Sequence, residues 1–330
     1  MTIFRIPATS AYLANPGIAR RPAARAANSP WTQRGVTLVE LMVGIAIGLL
    51  VVAVATSALM VSRGISGTVS DASGLHQQAA HAMRVIGQQV RQAGSLYLNL
   101  NPTGAATNDP AAPVALEVVS PGADPSANTS FNPTKDTLAT QQTSDGRTIL
   151  GVGYRRYPEP LFDGTTISLA RNCIGEQGGA GTNDKRIESI FKLDDEGNLR
   201  CGDNPNSKSS LGFTGLPDKP GQPIIRNVAN FRVRYLVQNL ATLGAPEINY
   251  VDAASFNTSD LPRVQGVEVC LVLYGDERIN LPAGSEYTDC DGSRVDMTAA
   301  ALPANRRNRM HLMFRNVFQL RSQGLVGSVL

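Results

Sequence analysis

The sequence is poor in side chains on which enzymes often depend. Only 5% of its 330 residues are aromatic, and there are three histidines and a single tryptophan, Trp31. The patterns G-x-S-x-G, H-E-x-x-H and G-x-x-x-x-G-K-[ST] are absent, and these would mark a nucleophile elbow, a zinc peptidase and a phosphate-binding loop. The 31 glycines and 20 prolines predict a loop-rich protein with a modest core. No catalytic residue is predicted, and we expect the protein not to be an enzyme.

Acidic residues are missing from the first 34 positions. Five arginines lie there, Arg5, Arg20, Arg21, Arg25 and Arg34. Because basic residues favour the cytoplasmic side of a membrane, this end is expected in the cytoplasm and the bulk of the chain outside. Without these five arginines, the 30 basic residues fall to 25 against 27 acidic ones, a formal charge of about −2. That balance gives no support to a nucleic-acid partner.

A long apolar run follows this basic segment. Leu41 to Val61 contains no charged residue, and its 21 residues would span about 32 Å as a helix, enough for a hydrocarbon layer of about 30 Å. The run therefore predicts a membrane-spanning helix. Glu40 stands directly before it, where a carboxylate is disfavoured by about 2.5–3.5 kcal/mol near the bilayer centre and is retained mainly when it has a partner.

The glycine at 35, the acid at 40 and the adjoining apolar run together resemble the class III signal of type IV prepilins. Within that class, Gly35-Val-Thr-Leu-Val-Glu-Leu-Met-Val-Gly-Ile-Ala-Ile-Gly-Leu49 is similar to the PilW family of minor pilins. Shorter similarities to that family lie at 91–94, 196–201, 231–235 and 313–321. The resemblance implies that a prepilin peptidase cuts between Gly35 and Val36 and methylates the new amine of Val36. The usual first mature residue in the family is Phe or Met, so Val36 is a departure.

The resemblance also implies a fold, a location and a set of partners. The fold is α+β, with a long N-terminal helix packed on an antiparallel sheet. The chain would sit in the inner membrane as a single-pass protein with a periplasmic C-terminal domain, and later in the pilus. Glu40 would pair with the N-terminal amine of a neighbouring subunit. The implied partners are the prepilin peptidase, other minor and major pilins, the inner-membrane assembly platform and, as a further candidate, a tip adhesin.

Other interpretations of the N-terminus stay open on the residues alone. Ala53-Val54-Ala55 has the form of a secretory cleavage site, so the run could be a signal peptide cut after Ala55. The run could also be an uncleaved anchor. Within the prepilin class, a type II secretion pseudopilin carries the same signal. A membrane-anchored periplasmic binding module, using residues 99–147 on a ligand, is the alternative from another class.

The helix is predicted to continue past the membrane, from Val36 to about Ala93. Apolar residues recur every three or four positions, which indicates one buried face: Leu75, Ala79, Ala82, Ile86, Val90 and Ala93. A polar face lies between them and includes Gln89. Gly94 is a suitable C-terminal stop. Glycines at 64, 67 and 74 are expected to bend or locally melt the helix, whereas Gly44 and Gly48 form a small-xxx-small pair that favours close helix packing.

The predicted organisation has five segments: a cleaved leader at 1–35, a transmembrane half-helix at 36–61, an amphipathic half-helix at 62–94, a loop-rich segment at 95–147 and a β-rich domain at 148–330. Strands are predicted from alternation and β-branched residues at 148–157, 187–193, 198–201, 228–237, 264–274 and 310–321. Such strands imply a sheet that one helix face could cover.

The four cysteines, Cys173, Cys201, Cys270 and Cys290, all lie beyond the apolar run. An even number in a segment expected to face an oxidising compartment predicts disulfides. Three pairings are possible, of which Cys173–Cys201 with Cys270–Cys290 is the sequence-local one. A zinc site is the alternative, but no C-x-x-C pair occurs and the histidines lie far from the cysteines. We therefore expect no metal and no cofactor.

Overall fold

A computed structural model describes residues 35–95, 98–99, 115–116, 136–155, 158–177, 186–204, 211–239 and 247–321. The chain divides into two compact units, Met1–Ala58 and Leu59–Leu330. The predicted leader before residue 35 lies outside the described residues, as do most of the segments 99–135 and 175–184 that were interpreted as loop. The described residues form a long helix followed by antiparallel strands, so the fold is α+β, as predicted.

The helix α1 extends over Leu38–Gln92, close to the predicted bounds. It continues through Gly64, Gly67 and Gly74 without interruption, so the expected local melting is not observed. Glycine lowers helix stability by up to about 1 kcal/mol relative to alanine, but it keeps its backbone N–H. The hydrogen-bond ladder of the helix can therefore pass through all three positions.

The end of α1 follows the predicted stop. Gly94 adopts a φ of 68°, a left-handed conformation that glycine accepts without the steric cost of a Cβ. Its N–H donates to the carbonyl of Gly153 at 3.0 Å. The turn that ends the helix is thereby joined to the sheet behind it.

The strands, numbered in chain order, are β1 Leu98–Asn99, β2 Ala115–Leu116, β3 Leu138–Gln142, β4 Thr148–Arg155, β5 Pro158–Pro160, β6 Thr166–Ser168, β7 Arg186–Leu193, β8 Leu199–Gly202, β9 Gln222–Ile225, β10 Val228–Asn239, β11 Glu247–Asp252, β12 Val264–Arg278, β13 Glu286–Thr288, β14 Arg294–Asp296 and β15 Arg309–Gln319. A 3₁₀ helix, Thr258–Arg263, precedes β12. All predicted strands are present, and each begins and ends within four residues of its expected bounds.

Two antiparallel sheets provide most of the β structure. One has the order β3-β4-β7-β8-β9 and the other the order β11-β10-β12-β15. Three two-stranded pairs accompany them, β1 with β2, β5 with β6, and β13 with β14. The segment 95–147, predicted to be loop-rich, also contains β3, in which Leu138-Ala-Thr-Gln-Gln142 lacks apolar alternation and forms a strand through its pairing with β4. The sequence pattern does not predict β9, β11 or the short strands of the three two-stranded pairs.

The amphipathic part of α1 packs on both large sheets in a common core. Every residue of the predicted apolar face is at most 2% exposed. Gln89, predicted on the polar face, is instead buried: its Oε1 accepts hydrogen bonds from the hydroxyls of Tyr154 at 2.9 Å and Ser189 at 3.0 Å. A buried amide is costly without such partners, so these two strand residues explain its position.

Strand β12 is covered on both faces. Val267, Val269, Leu271 and Leu273 belong to the main core with α1. On the other face, Cys270, Val272 and Tyr274 form a second cluster with Tyr287 and Cys290 from the segment around β13 and β14. The predicted placement of Cys270 opposite the valines and leucines is correct. The β13–β14 hairpin thus forms part of a small core on the outer side of the sheet.

Gly87 marks the closest approach of α1 to β15. A Cβ placed on Gly87 would lie 2.4 Å from Cε1 of Phe318, whereas one placed on Gly74 meets no atom within 4 Å. We expect Gly87→Ala to lower the free energy of unfolding by about 1–3 kcal/mol through overpacking. Gly74→Ala should leave it unchanged or raise it by up to about 1 kcal/mol. Thermal unfolding of the two variants, followed by circular dichroism, tests this, and equal stabilities would contradict it.

Candidate functional site

The start of α1 is preceded by an exposed segment that is not helical. Gly35, Val36 and Thr37 precede the first helical residue, Leu38, and all are exposed. A Cβ placed on Gly35 would meet no atom within 4 Å. The peptide bond predicted to be cut, between Gly35 and Val36, therefore lies in non-helical, exposed backbone that is accessible to an enzyme.

Thr37 caps the helix, a role that the sequence interpretation missed. Its Oγ1 accepts a hydrogen bond from the N–H of Glu40 at 3.3 Å, and its carbonyl accepts one from Leu41 at 3.1 Å. Thr37 is thus the N-cap residue and Glu40 is the third helical residue. The signal was present in the sequence, because T-x-x-E before an apolar run is a capping-box pattern.

Glu40 is consequently suited to two roles. A carboxylate in the first turn interacts favourably with the positive end of the helix dipole, and this local role is independent of other chains. Glu40 is also exposed, and no cation within the described part of the chain lies within ion-pair distance of it. In hydrocarbon such a carboxylate would need a counter-charge from elsewhere.

After Glu40, the surface of α1 is apolar on all sides as far as Val61. The large hydrophobic side chains from Val36 to Val61 are each 52–75% exposed, and the most apolar part of α1 has no buried residue. By length and composition, α1 is long and apolar enough to cross a membrane. A surface this apolar requires lipid or protein around it.

Gly44 and Gly48 lie on this apolar surface. A Cβ placed on either would meet nothing within 4 Å. Their spacing puts them on neighbouring turns of one face, where another helix could approach closely.

The N-terminal segment has a recognisable family pattern. The family model described as the prokaryotic N-terminal methylation motif matches residues 32–56. The chain carries a prepilin-type N-terminus. This segment includes Gly35, Val36, Thr37 and Glu40, together with most of the apolar surface of α1.

Comparison with solved structures finds a type IV-like pilin, TTHA1219 from Thermus thermophilus, with 13% sequence identity and a TM-score of 0.35. The alignment covers 76% of this chain and 96% of that one. No curated protein matches the sequence. The α+β fold class follows from the helix and sheets described above. The assignment of a prepilin-type N-terminus follows from the match at residues 32–56.

All four cysteines form disulfides in the structure. Cys173 is bonded to Cys201 and Cys270 to Cys290, with Cα–Cα distances of 6.2 and 5.8 Å. This is the sequence-local pairing of the three that the sequence allowed, and it leaves none of the four sulfurs as a thiolate ligand for zinc. The first bond attaches the segment before β7 to β8, and the second attaches the segment between β13 and β14 to the outer face of β12.

The histidines occupy two kinds of environment. His76 and His81 are exposed on α1. His311, on β15, is buried beside Tyr287, with which its ring stacks at a centroid distance of 4.4 Å. Burial lowers the pKa of His311 to about 4, and the nearby Arg306 acts in the same direction.

The lowered pKa of His311 predicts a pH-dependent stability. The folded state keeps the ring neutral while the unfolded chain binds a proton near pH 6.5, so stability should fall as the pH decreases from about 6.5 to about 4. The loss should reach about 2–3 kcal/mol. His311→Phe keeps a stacking ring that cannot titrate, and its unfolding free energy should lack this component. His81→Gln is the control and should retain the wild-type profile; equal profiles for all three proteins would contradict the prediction.

Proposed function

We propose that the chain is a minor pilin of the PilW type, which helps to prime or cap a type IV pilus. It is inserted in the inner membrane as a prepilin and cut between Gly35 and Val36 by a prepilin peptidase, which methylates the amine of Val36. It then joins other minor and major pilins. The observation that carries the proposal is an acid, Glu40, that stands at the head of an exposed apolar helix inside a prepilin-type N-terminus and has no cationic partner among the described residues.

The proposed chemistry of the site is assembly. After cleavage, Val36 provides a cation at the helix start, four residues before the carboxylate of Glu40. In a filament, a neighbouring subunit can supply the partner for each of these two charges. A charge pair formed between chains in a low-dielectric environment offsets the cost of leaving each charge alone. Pairing would set the axial register of the subunits, and helix packing would replace the lipid around Leu41 to Val61.

The test separates this pairing from helix capping. Glu40→Gln removes the charge but keeps a side chain that suits a capping box. Thr37→Ala removes the cap, at a cost of about 1 kcal/mol, but keeps the charge. We expect Glu40→Gln to insert and to be cleaved normally while surface pili decrease at least about tenfold, which corresponds to a lost interaction of about 1.4 kcal/mol or more. Thr37→Ala should retain most of the pili.

The measurements are the amount of sheared pili, the membrane level of the protein and its mature N-terminus by mass spectrometry. Glu247→Gln, which removes an exposed acid from β11, is the matched control. Normal piliation with Glu40→Gln would refute the pairing role and favour a membrane-anchored binding module. A deletion strain that loses protein secretion but keeps its pili would instead identify the chain as a type II secretion pseudopilin.

A further inference from the structure

A groove lies where the apolar part of α1 gives way to polar residues. It has a volume of about 910 Å³ and lies between helix residues 61–68 and the end of β12 with the residues that follow it. Its lining includes Val61, Arg63 and Thr68 from the helix and Arg278 and Ile279 from the other side. The groove therefore combines apolar lining residues with two arginines.

The two arginines of the groove have no acidic partner among the residues that the structure describes. In the described part of the chain neither Arg63 nor Arg278 forms an ion pair, although Arg278 donates to the carbonyl of Ala304 at 3.2 Å. Many other arginines in the described part of the chain do pair with carboxylates, among them Arg147, Arg186, Arg200, Arg232, Arg234, Arg263, Arg294 and Arg315. Two unpaired cations in one groove form a site for an anion, because a guanidinium binds phosphate through a fork of donors.

The acidic groups around the groove are largely occupied elsewhere. The carboxylate of Asp71 accepts the backbone N–H of Glu277 at 2.8 Å, and that of Asp276 accepts the side-chain amide of Asn227 at 2.6 Å. Among the described residues that line the groove, Glu277 is the one that carries a carboxylate. With Arg63 and Arg278 the lining has a formal charge of +1, which favours an anionic occupant.

The position of the groove along the helix identifies the source of that anion. Val61 is both the last residue of the uncharged run and a lining residue. Arg63 follows it by about 3 Å of helix rise and Thr68 by about 10 Å. In a bilayer whose hydrocarbon layer ends near Val61, these distances fall within the headgroup layer, where lipid phosphates lie.

We propose that this groove binds the headgroup of an anionic phospholipid, with Arg63 and Arg278 on the phosphate. The bound lipid would hold the domain against the outer surface of the inner membrane until the subunit enters a filament. The inference rests on the membrane-inserted stage of the proposed function. It does not depend on filament assembly, so the two can fail separately.

The test is lipid retention by the full mature chain. The protein is reconstituted in nanodiscs with equal amounts of phosphatidylglycerol and phosphatidylcholine, and the lipids that remain bound are counted by native mass spectrometry. Each arginine should contribute about fivefold to the preference for phosphatidylglycerol, so Arg63→Gln/Arg278→Gln should abolish it. Glu277→Gln, which removes the one carboxylate of the lining, should increase it. Arg294→Gln is the control, because it changes an arginine of the β13–β14 hairpin that does not line the groove.

Three results would overturn the inference. The first is no preference for phosphatidylglycerol in the wild-type chain. The second is an unchanged preference in Arg63→Gln/Arg278→Gln, or an equal loss in Arg294→Gln. The third is full displacement of the lipid by soluble glycerol phosphate at millimolar concentration, which would identify a site for free phosphate compounds. Piliation of the same variants is a separate measurement and tests the proposed function alone.

Discussion

Replacing Gly35 by valine is expected to leave the chain unprocessed in cells where the wild type is cut. The bond to be cut lies in exposed backbone one residue before the capping Thr37, and Gly35 presents no side chain there. A β-branched residue beside the scissile bond restricts the backbone and blocks close approach of an enzyme to the peptide. We expect cleavage to slow at least about a hundredfold, equivalent to about 2.7 kcal/mol in the barrier.

The measurement is the ratio of precursor to mature chain after co-expression with a prepilin peptidase, together with the mass of the mature N-terminus. Val36→Phe introduces a residue that is usual at the first mature position of the similar family, and it should be processed at least as well as the wild type. Gly44→Val, nine residues further along the helix, should be cut normally. A mature wild-type chain that starts at Thr56 or Met1 would rule out prepilin processing, because those ends mark a secretory signal and an uncleaved anchor.

Local patterns were sufficient to predict the parts of this protein that depend on neighbouring residues. The apolar run and the glycine-to-acid spacing predicted the exposed helix and its start. The three-to-four-residue period from Leu75 to Ala93 predicted a face that proves buried throughout. The strand Val228–Asn239 was evident because Phe231, Val233 and Tyr235 alternate with arginines, and its buried residues alternate in the same way.

Distant partners explain what the sequence could not reveal. Gln89 looked like a surface residue because its hydrogen-bond partners lie 65 and 100 residues away along the chain. Glu268, in the middle of a buried strand, is accommodated between Arg234 at 2.6 Å and Arg315 at 3.7 Å. In both cases a polar side chain is buried because another part of the chain satisfies it, and no local period records such a pairing.

The same contrast applies to the disulfides, since the sequence predicted bonds and only the fold selects their pairing.

Loss of the Cys173–Cys201 bond, through Cys173→Ala/Cys201→Ala, is expected to lower the free energy of unfolding by about 3–4 kcal/mol. The bond joins residues that are 28 positions apart in the sequence. In the chain-entropy model, a bond across this separation stabilises the folded state by about this amount, because it restricts the conformations of the unfolded chain. Cys201 is fully buried in the main core, so the smaller alanine side chain adds a cavity cost.

The two disulfides should differ in which residues lose protection from hydrogen exchange when each bond is removed. The backbone N–H of Cys173 donates to Ser189, which also donates to the buried Gln89, so breaking Cys173–Cys201 should increase hydrogen exchange in 166–177 and around Gln89. Cys270→Ala/Cys290→Ala, with a separation of 20 residues, should lower stability by about 3 kcal/mol but increase exchange around the β13–β14 hairpin. Exchange that rises in the same residues in both variants would mean that the bonds act only on the unfolded chain. Separate patterns would show that each holds its own segment to a different sheet.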